Sequence, residues 1–126
     1  MDDIYIFGAS GYARETALLI KEIGAYNLKA FIDKENRGTS LTVYKQSVPV
    51  ISDDEFKELC SIEKKNAIIA ISDSKIVEKI INIFKTDCFF PNIIHPSTIF
   101  SGEINLGIGN IFTYNCVFTD NINIGS

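Results

Sequence analysis

The sequence predicts an α/β unit built on a small parallel sheet, followed by the start of a parallel β-helix. Three observations carry that reading. An apolar run, Ile4-Tyr5-Ile6-Phe7, breaks into a glycine turn, Gly8-Ala9-Ser10-Gly11, that feeds directly into a helical pattern. Strand-like and helix-like segments then alternate as far as residue 94, the order that gives a parallel sheet with right-handed crossovers. Beyond that point Phe100, Leu106, Phe112, Phe118 and Ile124 recur every six residues. Small neighbours follow them: Ser101, Gly107, Thr113, Thr119 and Gly125. A six-residue apolar period with small neighbours marks a parallel β-helix, whereas a hairpin would alternate at period two.

Taken in order, Ala13, Thr16, Ala17, Ile20 and Ile23 fall at helical spacing, so a helix is expected over residues 12 to 23, with Gly24 as its stop. Its small residues allow close packing on a sheet. Leu28-Lys29-Ala30-Phe31-Ile32-Asp33 reads as a second strand with an acid at its carboxyl end, and residues 34 to 40 read as a polar loop. Ser47-Val48-Pro49-Val50-Ile51 is extended, and Pro49, which lacks a ladder donor, places it at a sheet edge. Ser52-Asp53-Asp54-Glu55 is a capping box for a helix over residues 53 to 61, with Phe56 and Leu59 turned inward. Residues 67 to 71 are apolar throughout, as in a strand buried on both faces. Ser72-Asp73-Ser74 caps the next helix, whose inner stripe is Ile76, Val77, Ile80, Ile81 and Phe84. Residues 89 to 94 form a further strand, interrupted by Pro91 and closed by His95-Pro96. The chain thus divides into a Rossmann-like unit, residues 1–95, and an incomplete β-helix, residues 96–126. Asn105, Asn110, Asn115, Asn121 and Asn123 crowd the second unit, where left-handed turns favour asparagine.

With 126 residues, the length suits one compact domain and at most a small appended module. A net charge of -4 argues against a nucleic-acid-binding surface. No apolar run approaches membrane-spanning length, and the acidic Met1-Asp2-Asp3 start is unlike a signal peptide, so the expected compartment is the cytoplasm. Cys60, Cys88 and Cys116 lie far apart, show no C-x-x-C spacing and have one histidine to help them. They read as reduced, mostly buried thiols, and no metal site is expected.

The chemistry is expected at the glycine turn. Unpaired N–H groups that open a helix point outward, and the helix dipole favours an anion beside them. Gly8 and Gly11 let a ligand approach the backbone, Ala9 lies between them, and Ser10 offers a hydroxyl to the helix or to a phosphate oxygen. Ligands of parallel sheets bind outside the carboxyl ends of the strands. Residues 8 to 12, Asp33-Lys34 and Ser72-Asp73 stand at three such ends and are expected to line one crevice. Asp33 also follows Gly11 at about the spacing by which an acid holds a ribose hydroxyl of a dinucleotide, an NAD(P)-binding alternative. Arg14, at the position of the third glycine of that fingerprint, argues against it. His95 is the only histidine, and preceding a proline it is expected to play a structural part at the junction of the two units.

The turn Gly8-Ala9-Ser10-Gly11-Tyr12-Ala13-Arg14-Glu15, together with the hexads after Ile94-His95-Pro96-Ser97, resembles the hexapeptide-repeat sugar acyltransferases of the PglD and NeuD type. That resemblance implies an N-terminal domain holding a nucleotide sugar and a left-handed β-helix that trimerises and binds acetyl-CoA between subunits. It implies a UDP-sugar or a sialic-acid-type sugar as ligand, in surface-polysaccharide or glycan biosynthesis. By position, the sugar-nucleotide contacts fall on Ser10, Gly11 and Tyr12, on Asp33 and Lys34, and on Ser72, with Gly8 and Ala9 in the phosphate loop. Many members carry histidine where this chain has Tyr12. A tyrosine hydroxyl can bond a ligand but supplies no basic imidazole, and the alternative for Tyr12 is an aromatic packed over the first helical turn. The family's general base is a histidine further along the β-helix, beyond Ser126, so no catalytic residue is expected within this chain. The resemblance therefore implies the substrate-binding part of an acetyltransferase, inactive alone and without tight acetyl-CoA binding. A stand-alone sugar-nucleotide-binding module is the alternative.

Overall fold

The computed structural model describes residues 1–94, 99–100, 104–106, 111–112, 117–118 and 122–124. The expectations for His95, Cys116 and most of the small residues and asparagines between the hexads lie outside the described residues.

In chain order the first unit comprises β1 (Asp2–Phe7), α1 (Gly11–Ile23), β2 (Tyr26–Ile32), β3 (Ser40–Val43), β4 (Gln46–Ile51), α2 (Asp53–Ile62), β5 (Lys65–Ile69), α3 (Ser74–Phe84) and β6 (Cys88–Phe89). The strands form one sheet in the order β3-β4-β2-β1-β5-β6, in which only the β3–β4 pair is antiparallel. After β1 the chain builds outward through β2 to β4, then crosses back to place β5 on the other side of β1. The strand order therefore reverses at β1.

Side-chain alternation in the central strands explains the layers. Ile4, Ile6, Phe31 and Ile68 pack with Ala13, Ala17 and Ile20 of α1 on one face. Tyr5, Phe7, Ala30, Ile32 and Ala67 pack with Phe56 of α2 and Ile80 and Phe84 of α3 on the other. Phe56 is the hub of that second layer, with ring centroids 4.9 Å from Tyr5, 5.4 Å from Phe7 and 5.6 Å from Phe84.

Local signals place the helix ends. Gly24 adopts φ 73° and donates its N–H to Ile20 O at 3.2 Å, closing α1. Ser52 accepts from Glu55 N at 3.2 Å, completing the first half of the capping box on α2. Asp73 alone caps α3, accepting from Lys75 N at 3.0 Å.

Three expectations are corrected, and the β3–β4 hairpin is an element that was not expected. The segment around Pro49 is not an edge: β4 lies between β3 and β2. Proline is tolerated because Pro49 faces Ser40, while its neighbour Val50 donates to Thr39 O. Alternation turns the proline nitrogen away from β3, towards β2 at the point where that ladder is only beginning with Phe31 and Val50. The true edge, β3, follows from a two-residue hairpin at Tyr44 and Lys45, with φ 48° and 64°. Primed hairpin turns need such angles, but Tyr-Lys carries none of the usual Asn-Gly signal. β2 begins at Tyr26 rather than Leu28, because its first half is polar and only half covered. The last expected strand is split in two: β6 starts at Cys88 and pairs with β5, whereas Ile93–Ile94 is β7 and pairs elsewhere.

That pairing builds the second unit. β7 (Ile93–Ile94), β8 (Ile99–Phe100) and β9 (Ile104–Leu106) lie parallel to β10 (Ile111–Phe112), β11 (Val117–Phe118) and β12 (Ile122–Ile124), respectively. Partners stand eighteen positions apart, 93 with 111, 99 with 117 and 104 with 122. Three separate two-stranded ladders with that common offset make a three-sided parallel β-helix of six residues per side, as the hexad period predicts.

Candidate functional site

A cavity of about 610 Å³ opens at the carboxyl ends of β1, β2 and β5, where the strand order reverses. It is lined by Gly8, Ala9 and Ser10 after β1, by Asp33, Lys34 and Glu35 after β2, and by Ile71 and Ser72 after β5. Such a reversal leaves a gap, because the loops from β1 and its neighbours diverge to opposite faces of the sheet. The size lies within the range of small-ligand sites. A smaller cavity of about 270 Å³ lies at the opposite end, between the C-terminal half of α1 and the β3–β4 hairpin, away from every one of these loops.

The glycine turn divides into two parts with different causes. Gly8 has φ 117°, donates its N–H to Ile32 O at 2.9 Å, and has Ala70 O 2.8 Å from the place a Cβ would take. The neighbouring strand end therefore demands glycine there, whatever binds. Gly11 has open space around its missing Cβ and begins α1. Ser10 is the N-cap residue of α1, yet its hydroxyl makes no capping bond. Both α2 and α3 have capped starts, so α1 keeps side-chain-free N–H groups in its first turn, beside the cavity.

Asp33 shapes its own loop. Its Oδ1 accepts from Glu35 N and its Oδ2 from the Asn36 side chain, both at 2.9 Å. Each oxygen keeps further acceptor capacity, since a carboxylate offers about four lone-pair sites. Lys34 is exposed at the rim, and Ser72, freed from capping by Asp73, lines the cavity. Gly11 and Tyr12 do not line it. Tyr12 is 40% exposed.

The sequence reading did not anticipate the far wall. Ile76, Lys79 and Ile83 of α3 and Asp53 of α2 complete the lining. Ile76, expected in the inner stripe, is 45% exposed, and Ile83 is 48% exposed. The stripe does face the sheet, but beyond the strand ends it has the cavity beneath it instead of a packed core. Two isoleucines seven apart with a lysine between them were the available signal, indistinguishable in sequence from core spacing.

Among the described residues, no group of three or more His, Cys, Asp or Glu is placed to hold a metal ion, and no helix is long and apolar enough to cross a membrane. The described thiols, Cys60 and Cys88, are free and buried as expected. Burial pushes both thiols up, and Tyr5 likewise.

Comparison with known proteins fits this architecture. The chain is similar in structure to perosamine N-acetyltransferase from Caulobacter crescentus, solved with CoA and GDP-perosamine (22% identity, TM-score 0.77, covering 93% of this chain and 54% of that one). It is also similar to the acetyltransferase domain of PglB from Neisseria gonorrhoeae FA1090, solved with acetyl coenzyme A (21% identity, TM-score 0.77, 98% and 59%). A third similar structure is WeeI from Acinetobacter baumannii AYE (24% identity, TM-score 0.75, 98% and 59%). The chain thus spans little more than half the length of these three proteins. Among curated proteins no sequence matches. These structural likenesses support the fold class read from the sequence, an α/β unit followed by a left-handed β-helix. Residues 3–84, more than half of the chain and every residue that lines the cavity, match the sequence model of the PglD N-terminal domain, and the chain belongs to that family.

Proposed function

We propose that this chain is the N-terminal, nucleotide-sugar-holding part of an acetyl-CoA-dependent sugar acetyltransferase. The observation that carries the reading is the uncapped start of α1 beside a cavity at the strand-order reversal, with Ser10 left free to bond a ligand. A diphosphate there accepts from the first-turn N–H groups of α1 and from the Ser10 hydroxyl. Lys34 and Lys79 add positive charge from two sides. Asp33 uses its remaining lone pairs on a ribose hydroxyl, and Ser72 bonds the same ligand from the third strand end. Ile76 and Ile83 offer an apolar wall. The Caulobacter enzyme's complex with GDP-perosamine supports a nucleotide sugar as the ligand class.

In this reading the sugar's amine or hydroxyl attacks the thioester carbonyl of acetyl-CoA, and a base takes the proton it loses. That step is assigned to β-helix coils of the full-length family, in a trimer that holds acetyl-CoA between subunits, in the cytoplasm. The residues described here bind and orient the sugar nucleotide. An NAD(P) reading is weaker, since Arg14 stands where the dinucleotide fingerprint has its third glycine.

Calorimetric titration with UDP, GDP, a UDP-amino-sugar, NAD and acetyl-CoA, each alone, tests the proposal. Binding of a nucleoside diphosphate or its sugar, without acetyl-CoA, is expected. Binding of NAD alone, or of none of the five, overturns it.

A further inference from the structure

Away from the cavity, Cys60 of α2 and Cys88 of β6 stand with their sulfurs 3.9 Å apart, both buried. They are 28 residues apart in the chain, and the contact is reinforced beside them. One helical turn before Cys60, Lys57 Nζ reaches Asp87 Oδ2 at 3.0 Å, so the same two segments are tied at adjacent positions. Phe56 and Phe84 bring α2 against the segment that leads into β6. The pair is therefore held in mutual approach by contacts other than its own.

β6 is also short and lies at one edge of the sheet. It is a two-residue edge strand, hydrogen-bonded to β5 on one side through the pairs Lys65 with Cys88 and Asn66 with Phe89. Closing the sulfurs from 3.9 Å to a disulfide length of about 2.0 Å requires a shift that side-chain rotation and a small movement of such an edge can share.

We propose that Cys60 and Cys88 form a reversible dithiol–disulfide pair which, on oxidation by a peroxide or an azodicarbonyl compound, ties α2 to the edge strand β6 within the folded domain. With hydrogen peroxide, one thiolate attacks an oxygen, the O–O bond breaks, and a sulfenic acid and water result. The second thiolate then attacks that sulfur, expelling hydroxide, which leaves as a second water. Two thiols lose two electrons and two protons in all, and the peroxide is reduced to two waters. With diamide the same electrons and protons pass to the N=N bond, giving the hydrazine. Burial keeps both groups protonated at neutral pH, so oxidation follows local opening of β6 rather than attack on the closed core.

The test uses the whole chain, folded in buffer at neutral pH, with diamide added and free thiols then blocked by iodoacetamide. Non-reducing peptide mapping resolves every pairing among the three cysteines. The expected product joins the Cys60 and Cys88 peptides in preference to either pairing with Cys116, keeps the native circular dichroism spectrum, and reverts with dithiothreitol. Its thermal midpoint rises by about 10 °C, the effect of closing a loop of this length in the unfolded chain. The proposal is overturned if the mapped pairs involve Cys116, if Cys60 and Cys88 stay unlinked, or if they link only with loss of the native spectrum.

Discussion

Replacing Gly8 and Gly11 separately by alanine separates a glycine that the fold requires from one that it does not. At Gly8 the new methyl meets two penalties. The backbone stands at φ 117°, outside the regions open to L residues, which costs about 1–3 kcal/mol. The Cβ also falls 2.8 Å from Ala70 O and 3.3 Å from Ile71 Cγ1, and the nearer atom is backbone. That carbonyl cannot swing aside freely, because the Ala70 N–H is bonded to Phe7 O at 2.9 Å in the same strand end. Overpacking of this kind costs about 1–3 kcal/mol more. The lower entropy of alanine in the unfolded chain returns about 0.4–1 kcal/mol. A net loss of about 2–4 kcal/mol remains. At a urea slope of roughly 2 kcal/mol per molar, the midpoint of Gly8→Ala falls by about 1–2 M.

At Gly11 neither penalty applies, and the entropy of the unfolded chain still favours alanine. No atom lies within 4 Å of the added Cβ, and the residue opens α1 with ordinary helical angles. Alanine there is neutral or stabilising by up to about 1 kcal/mol. Urea melts followed by far-ultraviolet circular dichroism give both midpoints. Equal melts for wild type and Gly8→Ala, or a comparable loss in Gly11→Ala, refute the reasoning. Because Gly11→Ala keeps its fold, any nucleotide affinity it loses reports contact with the ligand.

Three further outcomes follow from the same geometry. Ser52→Ala loses a capping bond and lowers stability by about 1 kcal/mol, whereas Ser10→Ala, whose hydroxyl caps nothing, changes it by less than about 0.5 kcal/mol; paired urea melts check the contrast. Asp33→Ala removes acceptors from Glu35 N and the Asn36 side chain, costs about 1 kcal/mol, and speeds amide exchange at Glu35 as read by NMR. Burial raises the folded pKa of Cys60 and Cys88, so their contribution is complete below the ordinary thiol value of about 8.5 and is lost as pH rises through the folded values, at up to about 1.4 kcal/mol per pH unit for each thiol. Urea midpoints are expected to stay level near neutrality and fall above about pH 9, less steeply in Cys88→Ala; identical slopes in wild type and variant would refute the assignment.

What the sequence disclosed about the fold depended on how locally each feature is determined. Gly24 closing α1 and Ser52 capping α2 were legible because each is settled within about one turn of chain. The hexads were legible because one apolar position per side must repeat for every coil. The β3–β4 hairpin was not, since its turn is held at positive φ by Tyr44 and Lys45 through pairing on both sides rather than by turn residues. Pro49 misled for a related reason: a proline's missing donor matters only on the side its nitrogen faces, and register, not sequence, decides that side. At the site, Gly8, Ala9, Ser10, Asp33, Lys34 and Ser72 could be gathered from strand ends alone. The α3 wall could not, because Ile76 and Ile83 have core spacing and become cavity lining only where the sheet runs out beneath them.

Ile93 takes part in both the sheet's core and the first ladder of the β-helix. Its side chain is 1% exposed and belongs to the core layer of Ile4, Ile6, Ala13 and Ile20 under α1. Its backbone, however, pairs with Ile111 in the first ladder of the β-helix. One residue thus completes the hydrophobic layer of the sheet and starts the first coil. The eighteen-residue offset then carries this anchoring onward, since β10 takes its register from β7, and the chain between them must lay down β8 and β9 on the other two sides. Ile93 thus joins the packed layer under α1 directly to the first ladder of the β-helix.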